Sequence, residues 1–495
     1  MSNIRGMRRF LASSIGVTCA AALALPLTPS AAATAARPVL GAEVATSGRT
    51  VAGPPVRQEG AEPSVPGSTQ SLPLAALTGD RDVGDPAEWG LSPRGVRHFS
   101  LVGVTWDTPD NELHGRVQVR TRAVGTGAWS GWQDLDTHNS AHAADPGTDE
   151  PTSGRVRGST APLWVGESDG VEVRVTAETG PRPTDGPEGE DGVRGGDDSA
   201  AHPEAATLPA GLRLELVDPG EPAPEKADTA GATRPGSLNP ETVETAEVLV
   251  ASGANAELAP VGAAEIPALG RAATERELMA LRGNELTEAQ RAKPYIGPRP
   301  RIVTRRGWGA NEGWRERQFV YTKKVKAAFV HHTATGSKYS CSQAPSLIRG
   351  IYRYHVASMG WRDVGYNFLV DKCGNIYEGR AGGVAKAVLG AHTLGFNSNS
   401  MGIAVLGSYG ATKPTKASVK AVARLTAWKL GLYGANPRGK TYLTSGGGNL
   451  YRKGKNVRLN VISGHRDGYS TECPGRQLYR KLGSARASAA RYQGR

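Results

Sequence analysis

The spacing of apolar residues changes once along the chain, and this change limits the possible folds more than any other feature of the 495 residues. Between about 90 and 218, apolar and polar residues alternate as in strands, for example at Val171, Val173 and Val175, with no helical stretch between the strand-like runs. From residue 327 onward, short apolar runs alternate with stretches of helical periodicity. The chain is therefore predicted to hold an all-β, sandwich-like module followed by an α/β domain, a mixed central sheet flanked by helices.

Composition places linkers around these two domains. The chain has 64 glycines and 33 prolines, and its hydrophobic fraction of 38% is low for a fully packed body of this length. The predicted segments are an export signal at 1–36, a disordered leader at 37–86, the β-rich module at 87–218, a linker at 219–296 and the α/β domain at 297–495. Within the module, an acidic, glycine-rich run at about 181–203 is expected to be a disordered insertion.

Individual elements of the α/β domain follow from the same periodicities. Strands are predicted at 327–330, 366–370 and 403–406, and helices at 345–358, at 415–430 and from 475 onward. In the linker, a short helix is expected within 272–291, interrupted at Gly283.

The first 36 residues have the pattern of a secretory signal. Arg5, Arg8 and Arg9 precede an apolar stretch at 10–27, and small residues suited to signal-peptidase cleavage follow. The alternative, a membrane-spanning helix, is disfavoured because prolines end the apolar run early. After processing, no stretch of about 20 apolar residues remains, so we expect a secreted, cell-wall-associated protein without a membrane span.

Charge is divided unequally between the two domains. Residues 297–495 contain 34 Lys and Arg against 7 Asp and Glu, a net charge of +27, whereas the rest of the chain carries −15. Such a domain attracts polyanions, whether nucleic acid, anionic wall polymer or lipid headgroup. An export signal and the lack of a nucleic-acid-binding motif disfavour the first of these.

Cysteine usage agrees with export. Of four cysteines, Cys19 lies in the predicted signal, which leaves Cys341, Cys373 and Cys473. One disulfide plus one thiolate with a separate role is the simplest arrangement of three cysteines in an oxidising compartment.

Three residues of the basic domain have the chemistry of a metal site. His331 directly follows an apolar strand, His465 follows an alternating segment, and Cys473 stands eight residues further on. Two imidazoles and one thiolate are the ligand number with which a catalytic zinc site leaves its fourth position for water. On spacing alone, a chance grouping of His and Cys remains the alternative.

Five motifs in this region, taken together, resemble one known family. They are FVHHTA at 329–334, WRDVGYNF at 361–368, YEGR at 377–380, GAHT at 390–393, and GHRD at 464–467 with TECPG at 471–475. In this order they resemble the peptidoglycan recognition proteins and the phage-type N-acetylmuramoyl-L-alanine amidases. The resemblance covers roughly 301–480, and the β-rich module is similar to the one that accompanies this domain in secreted actinobacterial members.

The resemblance implies a set of roles for residues of this chain. His331, His465 and Cys473 would bind Zn2+, and Tyr366 and Thr471 would be catalytic. Non-catalytic receptors of the family typically have Ser at the position of Cys473, so the cysteine implies an enzyme. The resemblance also implies a disulfide between the two remaining cysteines. These are Cys341 and Cys373.

Substrate-binding residues are carried over in the same way. His355, His392 and Asn397 match positions that line the groove for the muropeptide stem, and His332 lies close to it, although a buried histidine or a turn-forming Asn is the structural alternative for each. Gly360 and Trp361 match the pair associated with diaminopimelate-type stems. Met359 departs from the arginine of some receptors.

Two further features have both a structural and a binding interpretation. Trp129, Trp132 and Trp164 of the module are able to stack on sugar rings, but core packing is favoured. The basic insertion at 435–458 is interpreted as a solvated hairpin, with contact to anionic wall polymers as the alternative.

The sequence thus predicts a secreted zinc hydrolase that cleaves the amide bond between N-acetylmuramic acid and L-alanine in peptidoglycan. A zinc-activated water would attack the amide carbonyl, with Tyr366 stabilising the oxyanion. The alternative from another class is a peptidoglycan-binding receptor without catalytic activity.

Overall fold

The structure is a computed structural model that describes residues 67–77, 88–178, 207–220 and 246–495. All of these residues lie in one compact unit, Pro63–Arg495. The predicted signal at 1–36 and the predicted insertion at 181–203 lie outside the described residues. Within the described ranges, every helix is too short or too polar to cross a membrane.

The N-terminal module is all-β, as predicted, and all of its strand pairs are antiparallel. Its strands are β1 (Ser68–Pro73), β2 (Ala75–Ala76), β3 (Glu88–Trp106), β4 (Gly115–Ala123), β5 (Gln133–Leu135), β6 (Gly158–Ser159), β7 (Leu163–Ala177) and β8 (Arg213–Asp218). The sheet has the order β1-β8-β3-β7-β4-β5, with β2 and β6 also paired to β3. Register shifts along the β3–β7 pair bend these long strands, so that Phe99, Val102, Val117, Val173 and Leu214 meet in one buried core.

The module begins earlier than predicted. Strand β1 lies within the predicted leader at 37–86 and pairs along its whole length with β8, from Ser68 opposite Asp218 to Pro73 opposite Arg213. Most of its side chains are polar or partly exposed, so the strand has no apolar alternation that would reveal it. The predicted boundary at 87 is therefore wrong for the described residues 67–77.

The three tryptophans of the module have different surroundings. Trp164 is buried in an apolar cluster, as core packing requires. Trp132 stacks on the Arg174 guanidinium, 4.2 Å from ring centroid to Cζ, while Trp129 is 37% exposed. The core interpretation holds for Trp164, whereas the other two rings lie beside arginines at the surface.

The C-terminal domain is α/β, as predicted. Its strands are β9 (Glu265–Ile266), β10 (Ile302–Val303), β11 (Ala327–His332), β12 (Phe368–Val370), β13 (Ile376–Glu378), β14 (Ser400–Val405), β15 (Lys440–Thr444), β16 (Asn456–Asn460) and β17 (Ile462–Gly464). Its helices are α1 (Ala246–Gly253), α2 (Arg271–Arg282), α3 (Glu288–Ala292), α4 (Arg305–Trp308), α5 (Ala344–Arg353), α6 (Lys416–Gly431), α7 (Arg476–Tyr479) and α8 (Leu482–Gln493).

A seven-stranded mixed sheet forms the centre of this domain. Its order is β17-β11-β14-β12-β13-β10-β9. Strands β17, β11, β14 and β12 run parallel to one another, and β13 is antiparallel to β12. One face packs Val330 and Ile403 against helix α6 through Trp428 and Leu425. The other face packs Leu369 and Ala404 against helix α5. Because both faces are covered, the central strands are continuous apolar runs.

Residues 246–296 are folded, which corrects the predicted linker at 219–296. Strand β9 joins the edge of the central sheet, with Ile266 opposite Ile302, and Leu278 of α2 is buried in the domain core. The predicted helical break at Gly283 is present, since α2 ends at Arg282. Gly-, Ala- and Pro-rich composition concealed these short elements, which are stabilised by tertiary packing.

The remaining predictions for this domain concern a hairpin and a disulfide. Strands β15 and β16 pair antiparallel, so the basic insertion at 435–458 is a hairpin, as predicted. Cys341 and Cys373 form a disulfide, with Cα atoms 6.2 Å apart. This bond joins the start of the α5 region to the turn between β12 and β13.

A buried ion-pair cluster holds the loops beside the sheet. The Arg305 guanidinium pairs with Glu312 at 2.8 Å and Asp363 at 3.0 Å, and all three side chains are almost fully buried. Replacing Arg305 with Met should lower the free energy of unfolding by about 3–5 kcal/mol, because Asp363 loses the buried guanidinium and Glu312 keeps only its pair with Arg315.

Arg301 is the matched control for this prediction, because its ion pair with Glu265 is about half exposed. Arg301→Met should change the free energy of unfolding by no more than about 1 kcal/mol. Urea denaturation of both variants measures the difference, and equal shifts for the two would contradict the assigned role of the cluster.

Candidate metal centre

The centre forms where two parallel strands end side by side. Strand β11 carries His331 near its carboxyl end, and β17 leads directly into His465. The two strands are hydrogen-bonded neighbours, with Val330 opposite Gly464. Parallel neighbours end at the same edge of a sheet, so the two imidazoles are brought together, with ring centroids 4.6 Å apart.

Cys473 reaches the same point from a loop. Its Sγ lies 3.8 Å from His331 Nδ1 and accepts the backbone N–H of His332 at 3.4 Å. The Thr471 hydroxyl accepts the backbone N–H of Cys473 at 3.3 Å and so helps to fix this loop. The structure therefore brings together the three residues predicted to bind zinc.

A fourth side chain, which the sequence did not indicate, completes the group. His142 belongs to the β-rich module, and its Nε2 lies 3.6 Å from Cys473 Sγ although the two residues are 331 positions apart. The ligand atoms of His142, His331, His465 and Cys473 all lie within 4.8 Å of one another, and all four residues are buried.

Burial sets the protonation of these groups. Desolvation lowers the pKa of His142 to about 3 and, together with the neighbouring imidazoles, holds the pKa values of His331 and His465 well below their usual range. The imidazoles are therefore neutral, the form that binds a metal. Burial also raises the pKa of the Cys473 thiol, so a thiolate at this position requires a cation beside it.

The donor set fits zinc. Two or three neutral imidazoles and one sulfur are ligands that zinc prefers. Among the described residues, His465 Nδ1 is buried without a hydrogen-bond partner, as expected for a nitrogen that a metal would satisfy, while His465 Nε2 lies 3.1 Å from Ala141 O. His331 Nε2 lies 3.4 Å from the Thr393 hydroxyl, the kind of outer contact that orients a metal-binding imidazole.

Tyr366 lies beside this group. Its ring centroid is 5.5 Å from that of His331 and 5.8 Å from that of His355. Burial raises the pKa of Tyr366, so its phenol remains a hydrogen-bond donor over the physiological pH range.

Three predicted substrate-binding residues surround Tyr366 and Cys473. The His355 ring packs against Trp361 at a tilt of 42°, with ring centroids 4.5 Å apart, and its Nδ1 accepts the backbone N–H of Gly365. His332 Nδ1 accepts the backbone N–H of Tyr409. Burial lowers the pKa of His355 to about 3 and that of His332 to about 4, so both side chains are neutral.

The other three predicted substrate-binding residues lie in or below a covered groove. His392 is fully buried behind His331, with ring centroids 5.3 Å apart. Asn397 and Gly360 both contact residues 136–157 of the module. Asn397 Nδ2 donates to Ala143 O at 2.8 Å, and a Cβ on Gly360 would lie 2.1 Å from Arg155 O.

Segment 136–157 of the module thus contacts two predicted substrate-binding residues, which no feature of the sequence indicated. It joins β5 to β6 and, apart from a single 3-10 turn at Pro151–Ser153, holds no helix or strand. A loop of this length in a folded domain is usually functional. The unusual length of this loop was the only sequence signal that could have pointed to His142. No motif could have done so, because His331, His465 and Cys473 lie in another domain. Thr393 was within a recognised motif, but its role as an outer contact was not predicted.

Comparison with known proteins supports a family assignment. The chain is 33% identical over 183 residues to peptidoglycan-recognition protein SC2 of Drosophila simulans, an alignment that covers 37% of this chain and 84% of that protein. The chain belongs to the peptidoglycan-recognition protein family. Within the family region, residues 321–476 match the family model described as N-acetylmuramoyl-L-alanine amidase.

The chain is also similar to other known proteins. The chain is 37% identical over 141 residues to the human N-acetylmuramoyl-L-alanine amidase, covering 28% of this chain and 22% of that protein. Among solved structures, peptidoglycan recognition protein-LE in complex with tracheal cytotoxin is similar at 33% identity and a TM-score of 0.29, covering 37% of this chain and 92% of that one. The family assignment rests on the sequence relatives. Residues 55–204 match a separate model, the Rv3811 N-terminal galactose-binding domain-like family.

Proposed function

We propose that this peptidoglycan-recognition protein is a zinc-dependent amidase that cleaves the bond between N-acetylmuramic acid and L-alanine in peptidoglycan. The observation that carries the proposal is the convergence of His331, His465 and Cys473, with neutral imidazoles and a buried sulfur. The match of 321–476 to an amidase family supports the reaction class.

Zinc at this site would supply the Lewis acidity that lowers the pKa of a water molecule toward about 7. The residues of the chain provide the rest of the site. His331 and His465 present neutral imidazoles at the edge of a rigid sheet, Thr393 orients His331, and Thr471 fixes the loop that carries Cys473. Their buried positions exclude bulk water from the reacting amide.

Tyr366 is the proposed oxyanion donor. Its phenol stays protonated because burial raises its pKa, and it lies next to His331. As the amide carbonyl is attacked, negative charge develops on its oxygen, and a fixed hydroxyl stabilises this charge more than it stabilises the ground state. Loss of the donor therefore affects the rate more than it affects metal binding.

The proposed substrate is a muropeptide stem, with the diaminopimelate type favoured by Gly360 and Trp361. Trp361 is held by ring packing against His355, and Gly360 has a φ of +76°, a backbone conformation that favours glycine. Asn397 has its Oδ1 held by the backbone N–H groups of His392 and Thr393. Its amide N–H groups donate to Ala143 O and Asp145 Oδ1 and would be available to a stem peptide only if residues 143 and 145 moved away.

We further propose that the protein acts outside the cell membrane, on the cell wall. The predicted signal and the Cys341–Cys373 disulfide support this location, because disulfides persist in oxidising compartments. The net charge of +27 over 297–495 favours contact with anionic wall polymers, and the exposed lysines and arginines of the β15–β16 hairpin contribute to it.

The reaction is tested by mass spectrometry of purified cell walls after digestion. New free amino termini on L-alanine are expected, to be lost with a chelator and to return when zinc is added. The alternative function is a receptor without catalytic activity. Such a receptor would bind cell walls and produce no new amino termini. The proposal would be contradicted if these termini were absent with the full chain and also with a chain in which His142, Asp145 and Glu150 of segment 136–157 are replaced by Ala.

A further inference from the structure

We infer that His142 is a fourth protein ligand of the zinc and that segment 136–157 covers the substrate groove, so that the full chain holds its amidase site closed. The identity of the groove rests on the proposed function. The position of His142 among the metal-binding residues does not depend on it.

The side chain of His142 is placed as a ligand is. Its ring lies 4.4 Å from that of His465 and 5.3 Å from that of His331, measured between centroids, and its Nε2 is 3.6 Å from Cys473 Sγ. The residue is 8% exposed. The nitrogen that faces the Cys473 sulfur is Nε2, so Nε2 is the atom that would bind the ion.

The chain on either side of His142 is hydrogen-bonded to the C-terminal domain. Ala141 O accepts the backbone N–H of Leu394 at 3.0 Å and lies 3.1 Å from His465 Nε2. On the other side, Ala143 O accepts from Asn397 Nδ2. Both backbone carbonyls that flank His142 are therefore fixed, which directs the imidazole into the metal centre.

Two carboxylates attach the rest of the segment to the groove. Asp145 Oδ1 accepts from Asn397 Nδ2 at 2.7 Å and from the Gly395 backbone N–H at 2.8 Å. The Glu150 carboxylate accepts two hydrogen bonds from the Arg380 guanidinium, at 2.8 and 2.9 Å, and both side chains are nearly buried. Such a bidentate pair fixes position as well as adding attraction.

The end of the segment lies across the predicted diaminopimelate contact. Arg157 N–H donates to Met359 O at 3.0 Å, and Arg155 O fills the space that a side chain at 360 would occupy. A stem peptide cannot contact Asn397 or Gly360 while these contacts exist. The same polar groups that would bind substrate are thus used to hold the segment.

The number of protein ligands decides whether a zinc site can bind water. A zinc site with three protein ligands keeps a position for water, whereas a site with four is of the closed, structural kind. With His142 bound, no position remains for the attacking water. Opening requires only that the segment leave, because it begins after β5 and ends before β6, so neither sheet needs to unfold.

The first test counts ligands in the zinc-loaded full chain by X-ray absorption. Imidazoles give outer-shell scattering that water does not, so the expected result is one sulfur and three imidazoles. His142→Ala should give one sulfur, two imidazoles and a light atom, and its zinc affinity in competition with a colorimetric chelator should fall at least about 10-fold. Two imidazoles in the unmodified chain would overturn the inference, and this measurement does not depend on the folding of any variant.

The second test measures closure of the groove. A chain with His142→Ala, Asp145→Ala and Glu150→Ala should bind a soluble diaminopimelate-type muropeptide at least about 10-fold more tightly than the unmodified chain and should release L-alanine termini at least about 10-fold faster. Its matched control is Asp134→Ala with Asp169→Ala, which removes two carboxylates of the module from exposed ion pairs with arginines. The control should match the unmodified chain.

Zinc affinity and the rate of hydrolysis are the two quantities that distinguish a closing ligand from a structural histidine. A closing ligand predicts that zinc affinity falls while hydrolysis rises, whereas a purely structural His142 predicts that both fall or neither changes. If muropeptide binding and ligand number change as expected but no variant hydrolyses cell walls, the closure stands and the amidase proposal fails. Equal muropeptide binding by the unmodified chain and the triple variant would overturn the closure.

Discussion

Replacing Cys473 with Ser is expected to remove hydrolysis of cell walls, with a fall of at least about 10³-fold. Loss of an outer-shell contact to a metal ligand typically costs about 10- to 100-fold, and this change removes a ligand itself. A serine hydroxyl is not deprotonated at this position and is a weak ligand for zinc. The buried site of His331, His465 and Cys473 would lose its negative charge and bind the ion far more weakly.

Muropeptide binding serves as the internal control for this variant. We expect the Cys473→Ser variant to bind a soluble muropeptide with the same affinity as its parent when both also carry His142→Ala, Asp145→Ala and Glu150→Ala. Zinc content, measured by elemental analysis, should fall with the activity. Full hydrolysis by this variant would rule out a zinc mechanism at this site.

Replacing Tyr366 with Phe is expected to slow hydrolysis by about 10²- to 10³-fold, the typical effect of losing one oxyanion donor. The ring would still pack between His331 and His355, so the fold and the metal site should persist. The expected result is therefore a lower kcat with unchanged zinc content, measured on a soluble muropeptide in the loosened background.

Tyr377 provides the matched control. It is also buried, and its hydroxyl donates to Asp371 at 3.0 Å, in a different part of the domain. Tyr377→Phe should reduce stability by about 1 kcal/mol and leave hydrolysis unchanged. Loss of zinc from the Tyr366→Phe variant would show that Tyr366 acts through the metal site rather than on the substrate.

Elements with strong local patterns were predictable from the sequence. Strand β11 and helix α6 have apolar residues at the spacing that burial requires, and the structure places them within a few residues of their predicted bounds. Strands β1 and β9 were not predictable, because β1 has a polar, partly exposed pattern and β9 has two residues. Both are stabilised by pairing with distant strands rather than by their own sequence.

The candidate site also contains residues that the sequence predicted and one that it did not. The motifs around His331, His465 and Cys473 lie in one domain whose topology fixes their approach, so a family resemblance was enough to expect them together. His142 has no such motif. It reaches the centre through the packing of one domain on another, held by Asp145 and Glu150, and no local periodicity encodes that packing.

The position of His142 has a consequence for how such proteins are compared. The residue lies upstream of the stretch 321–476 that matches the amidase family model, so a search of that stretch alone finds His331, His465 and Cys473 and misses His142. If His142 closes the site as inferred, two chains with identical C-terminal domains would differ in resting activity according to the module that precedes them. Fusion of a different upstream module would then alter regulation with no change in the C-terminal domain.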